Sequence, residues 1–154
     1  MKRVLFICSG NLYRSAAAES ILRRKLADAG VTGWTADSAG TLSLGHAARP
    51  DDFGRLLTQR GYESGGVAKY VYDADPSGAD LILVMEPGHA EALKALVPMW
   101  EWGRIRLFMD FCFGSRSILA DPAVQLNEDL YRETLDVIER GCDRIVEKII
   151  NGQI

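Results

Sequence analysis

Short apolar runs separated by stretches of helical spacing outline the architecture of this 154-residue chain. Val4-Leu5-Phe6-Ile7 is apolar without alternation, the pattern of a strand buried on both faces. Ser15 to Ala29 then places Ala18, Ile21, Leu22 and Leu26 at helical spacing before Gly30 stops the helix. GWTADSAG, from Gly33 to Gly40, reads as a second short strand entering a glycine turn. Thr41 to Pro50 reads as a surface loop, and Asp51 to Gly61 as a helix with Phe53, Leu56 and Leu57 on one side. ADLILVME, from Ala79 to Glu86, is the clearest buried strand; PGHAEALKALVP, from Pro87 to Pro98, is a helix bounded by prolines. RIRLFM, from Arg104 to Met109, reads as a fourth strand. From Asn127 to Ile150 apolar residues such as Leu135, Ile138, Cys142 and Ile145 recur at helical spacing, which predicts a long amphipathic helix closing over one face of the sheet. Strands alternating with helices predict an α/β chain with a parallel sheet covered on both faces. In such sheets ligands bind beyond the carboxyl ends of the strands, where Cys8 stands.

The length suits one domain, residues 1–154, and a 47% hydrophobic, 25% charged composition is that of an ordinary globular protein. A net charge of −3 offers no general attraction for nucleic acid, and Arg23-Arg24-Lys25 reads as the solvated side of a helix. No stretch has the form of a signal peptide or a membrane span, so a cytoplasmic location without membrane association is expected. Cys8, Cys112 and Cys142 are odd in number and widely spaced, which fits free thiols better than a disulfide framework or a zinc site.

The chemistry concentrates between Cys8 and Ser15. A loop running from a strand straight into a helix leaves backbone N–H groups without partners at the positive end of the helix dipole, and so it suits an anion. A curved run from Ser9 through Gly10, Asn11, Leu12, Tyr13 and Arg14 to Ser15 can wrap the oxygens of a phosphate, with Gly10 permitting close approach and the planar fork of Arg14 gripping two oxygens. The same positive field favours the thiolate of a cysteine at its centre, making Cys8 a nucleophile aimed at phosphorus. Ser15 is placed to hydrogen-bond that sulfur and Asn11 to brace the loop from inside. An ester also needs a proton for its leaving oxygen, and Asp121, stiffened by Pro122 just before the last helix, is the candidate acid.

These residues resemble the low-molecular-weight protein tyrosine phosphatases, which open with an apolar strand, Cys-x-Gly-Asn-x-x-Arg-Ser and a helix. Cys8, Gly10, Asn11, Arg14 and Ser15 carry the match, and DSAGT (37–41), ADLILVM (79–85) and Asp121-Pro122 follow in the family's order. The resemblance implies a three-layer α/β sandwich whose central parallel sheet has about four strands. It also implies a phosphocysteine on Cys8, equatorial oxygens bound by Arg14, and Asp121 as acid and then base, with no metal or cofactor. The implied partner is a phosphotyrosine-containing protein; a bacterial tyrosine kinase of polysaccharide export is a candidate by analogy.

The chain also departs from the family. Most relatives have a second cysteine before the arginine where this chain has Tyr13, and many have aromatics after Asp-Pro where it has Ala123 and Val124. Leu12, Leu44 and Ala123 are therefore the expected substrate walls. Eukaryotic relatives brace the loop with a histidine near GGVAK, where Gly65 and Gly66 stand here, and His46 and His89 read as surface residues. Three rival readings stand beside the phosphatase. An arsenate reductase would need relay cysteines that Glu86 to Pro98 lacks, an arginine phosphatase carries threonine at the position of Leu12, and a silent phosphopeptide-binding module would need only the cradle.

Overall fold

The computed structural model describes all of residues 1–154. Four parallel strands, β1 (Lys2–Cys8), β2 (Trp34–Gly40), β3 (Leu81–Val84) and β4 (Ile105–Leu107), form one sheet in the order β2-β1-β3-β4. Helices α1 (Arg14–Asp28), α2 (Asp51–Gln59), α3 (Pro87–Lys94), α4 (Phe108–Phe113) and α5 (Glu128–Ile150) cover it.

The side-chain alternation of a strand explains the three layers. Val4, Phe6 and Cys8 project into the larger core beneath α1, α2, α4 and α5, with Ile21, Leu22, Leu135 and Ile138. Leu5 and Ile7 project to the opposite side, into a smaller core with Ile82, Val84, Leu93 and Val97. β1, paired on both edges and buried on both faces, is the axis of the molecule, and its last residue is Cys8.

Two expectations about elements change. The fourth strand ends at Leu107, because Phe108 begins α4 and is fully buried against α5. The helix from Pro87 ends at Lys94, where Leu96 and Val97 both turn back to the Leu93 carbonyl. The basic trio is also more than a solvated face: Arg23 Nε donates to the Ala36 carbonyl and Lys25 Nζ meets Asp143 at 2.6 Å. Asn127 caps α5 by accepting from the Asp129 and Leu130 amides. No helix is long and apolar enough to cross a membrane.

Gly141 sits where α5 crosses Phe108, and a Cβ there would overlap the phenyl ring. Gly141→Ala should therefore destabilise the fold by about 1–3 kcal/mol despite alanine's better helix propensity. Gly88→Ala in α3, where a Cβ meets open space, should be neutral or stabilising; thermal melts of the two variants make the comparison.

Candidate active site

The loop from Cys8 to Ser15 bends sharply because Asn11 takes a left-handed conformation, φ +56°, which few non-glycine residues adopt. None of the backbone N–H groups of Ser9 to Tyr13 donates to an acceptor within the chain. The outward carbonyls, by contrast, are held: Thr41 N–H donates to Cys8 O at 3.0 Å and Leu42 N–H to Ser9 O at 2.9 Å. Gly40 backs the loop so closely that a Cβ would lie 2.6 Å from Ser9 O and 2.9 Å from Asn11 N, so only glycine fits.

Cys8 is 3% exposed, and its Sγ lies 2.9 Å from Ser15 Oγ. Asn11, fully buried, donates through Nδ2 to Ser15 Oγ (2.9 Å) and Ser38 Oγ (2.8 Å), and its Oδ1 accepts from Lys69 N–H and Arg49 Nη2. Ser38 Oγ in turn donates to Glu19, whose carboxyl burial pushes above the usual carboxylate range. Burial also acts upward on neighbouring Asp37, but hydrogen bonds from Lys69 Nζ and the Ser38 amide outweigh it and leave Asp37 below its ordinary value. The thiol thus stands at the end of a continuous hydrogen-bond chain through Ser15, Asn11 and Ser38.

Arg14 is 1% exposed. Its Nη1 donates to Glu86 Oε2 (2.8 Å) and Leu119 O (2.7 Å), while Nη2 lies 3.5 Å from Asp121 Oδ2 and makes no hydrogen bond within the chain. A buried guanidinium with one nitrogen uncommitted beside a ring of free amides is a donor set for an oxyanion. Asp121 is partly exposed and is oriented by the Ala123 amide, which donates to its Oδ1 at 3.0 Å. Cys8 and Ser15, the two ends of the loop, are thus in contact, and Arg14 brings Asp121 to the same site.

Tyr13 contributes its backbone to the loop but not its side chain. The ring turns away into an aromatic cluster, 5.1 Å from Phe53 and 5.7 Å from Tyr131. Leu12 packs half-buried against the main core, and Leu44 Cδ1 would lie 3.0 Å from a Cβ at position 10, so both border the loop mouth. Ala123 and Val124 are exposed beside Asp121.

His46 is exposed as expected, but His89 is not a surface residue. It is 5% exposed, its Nδ1 accepts from the Glu86 amide, and its Nε2 lies 2.9 Å from Ser9 Oγ. Nδ1 being an acceptor, Nε2 carries the proton and donates to Ser9. Burial first and Arg14 second hold its pKa below the ordinary value, which favours that neutral form. Glu86, Arg49 and His89 are the site residues that sequence reasoning missed; only Glu86, directly after the β3 run, had a positional signal.

The family model described as low molecular weight phosphotyrosine protein phosphatase matches residues 3–153. The low molecular weight protein-tyrosine-phosphatase of Streptomyces coelicolor is 31% identical, covering 96% of this chain and 93% of that one. A crystal structure of a low molecular weight phosphotyrosine phosphatase from Vibrio cholerae O395 superposes with a TM-score of 0.87 at 28% identity over 100% of both chains. An arginine phosphatase from Geobacillus stearothermophilus superposes with a TM-score of 0.85 at 25% identity, covering 99% of this chain and 96% of that one. With the strand order, the thiol-bearing loop and a match over nearly every residue in accord, the chain belongs to the low molecular weight phosphotyrosine protein phosphatase family.

Proposed function

We propose that this protein hydrolyses phosphotyrosine monoesters on protein substrates through a phosphocysteine intermediate. The observation that carries the reading is a loop of partnerless amides and a buried Arg14 Nη2 without a hydrogen bond, in the same loop as a cysteine whose Sγ contacts Ser15 Oγ. Cys8 attacks phosphorus as the thiolate, and the P–O bond to the tyrosine oxygen breaks in line with the new S–P bond. Charge on the transferring group is held by the amides of residues 9–15 and by Arg14. Asp121 gives its proton to the departing phenol oxygen; as the carboxylate it then takes a proton from the water that attacks phosphorus and releases phosphate and Cys8.

Arg14 serves two ends of this sequence. Its Nη1 bonds to Glu86 and Leu119 O fix the guanidinium plane, and the Leu119 bond ties the segment carrying Asp121 to the cradle. Ser15 Oγ stabilises the sulfur when it departs in the second step. The rim carries the aliphatic side chains of Leu12 and Leu44 and the exposed Ala123 beside Asp121, apolar surface that suits an aryl ring better than a charged guanidinium. That favours phosphotyrosine over phosphoarginine. The partner is a phosphotyrosine-bearing cytoplasmic protein, for which a bacterial tyrosine kinase is a candidate.

Release of p-nitrophenol from p-nitrophenyl phosphate, with reductant and EDTA present, tests the chemistry. Wild type should turn over, Cys8→Ser should be inactive, and Asp121→Ala should lose about 10²–10⁴-fold in kcat. Parallel assays with phosphotyrosine and phosphoarginine test the substrate class, and faster release from phosphoarginine would overturn it. Because Tyr13 is a packed aromatic residue, Cys8 has no resolving thiol one residue before Arg14. Peroxide should therefore carry Cys8 past the sulfenic acid. Dithiothreitol should then restore only a minor part of the activity, and phosphate should protect.

A further inference from the structure

Asn11 is the residue whose conformation shapes the cradle, and it is held from behind by a group that neither the family motif nor its spacing indicates. Arg49 Nε donates to the Asn11 backbone carbonyl at 3.1 Å and Arg49 Nη2 to the Asn11 side-chain Oδ1 at 2.8 Å. One planar guanidinium thus grips both oxygens of a single residue in the left-handed region. The bond to the carbonyl has a definite consequence. In a trans peptide the C=O of one residue and the N–H of the next point in opposite directions, and this chain has no cis peptides. Anchoring the Asn11 carbonyl outward on Arg49 therefore turns the Leu12 N–H inward, toward the anion.

The surroundings of Arg49 fit this task. It is half-buried yet has no carboxylate within ion-pair distance; its third contact, from Nη1, is the Gly65 carbonyl at 3.3 Å. The titratable groups that face it at longer range are Glu19, Asp37, Cys8 and Arg23. Gly66 leaves room for it: a Cβ at residue 66 would come within 3.2 Å of Arg49 Nη1. Arg49 also ends the loop that carries Leu44 at the mouth, and its far side opens on a cleft of about 410 Å³ between α1 and α2.

We propose that Arg49 is a positioning residue for phosphoryl transfer: it clamps Asn11 so that the Leu12 amide faces the phosphate, and it couples the cradle to the substrate-facing loop from Thr41 to Pro50. This rests on the cradle binding phosphate, so binding and turnover are measured separately. Arg49→Met should fold with a near-unchanged melting temperature and lose about 100-fold in kcat on p-nitrophenyl phosphate, the scale of a small misplacement of catalytic groups. Inorganic phosphate should bind more weakly to Cys8→Ser/Arg49→Met than to Cys8→Ser in calorimetric titration. Arg49→Lys, which keeps the charge without the fork, should recover only part of the loss. Arg49→Ala should regain activity with millimolar methylguanidinium, which can reach the position through the cleft. Arg24→Met, on the same cleft but bonded to Asp28 and Gly61 O, should behave as wild type.

Arg49→Met that keeps both kcat and phosphate binding overturns the proposal, as does Arg49→Lys that equals wild type. If Arg49→Met fails to fold, Arg49→Lys and the methylguanidinium rescue decide. A wild type that binds phosphate through an Arg49-dependent cradle but turns nothing over would overturn the phosphatase reading and leave the clamp standing.

Discussion

A loop that leaves a run of backbone N–H groups side by side without acceptors is held in an arrangement it would not choose by itself. Like ends of dipoles repel, and the five N–H groups from Ser9 to Tyr13 find no acceptor within the chain. Everything around the loop can be understood as restraint against its relaxation. β2 supplies Gly40, over which the loop lies at backbone contact, and the two residues after it, Thr41 and Leu42, supply amides that pin the outward carbonyls. α1 fixes the far end and adds its dipole, while Asn11, Ser15 and Ser38 fill the space behind with satisfied hydrogen bonds.

Arg14 then joins this restrained loop to the acid. A buried guanidinium is costly unless its donors are used, and here Glu86 and Leu119 O take one nitrogen while Asp121 stands near the other. The three acceptors come from the end of β3 and from the segment before α5, so distant parts of the sequence are brought to register by one side chain. His89, at the start of α3, closes the circle by hydrogen-bonding Ser9 from the segment that follows β3.

Much of this could be read from the sequence, for reasons that differ by element. β1 and β3 were legible because strands buried on both faces must be uniformly apolar, and α5 because a helix covering a sheet must be apolar on one side only. The loop was legible because its chemistry is compressed into eight consecutive residues. α4 was not, because Phe108 serves a helix at a position that continues the apolar run of β4. Glu86, His89 and Arg49 act across 72, 80 and 38 positions of chain, on Arg14, Ser9 and Asn11 respectively, and a spacing rule has no hold on such pairs. His89 in particular follows a proline at a helix start, where exposure is the ordinary outcome; only the fold reveals that its ring is turned inward.

Tyr13 carries a broader consequence. Its backbone belongs to the cradle and its ring to a cluster with Phe53 of α2 and Tyr131 of α5, so one residue is shared between the chemical centre and the framework. The Tyr13 ring packs into the framework and not into the cradle, so selection on it can act on fit to the neighbouring helices instead of on sulfur chemistry. The enzyme has in effect exchanged a redox valve for a mechanical rivet, fastening its most constrained loop to two helices, α2 and α5, that are far apart along the chain.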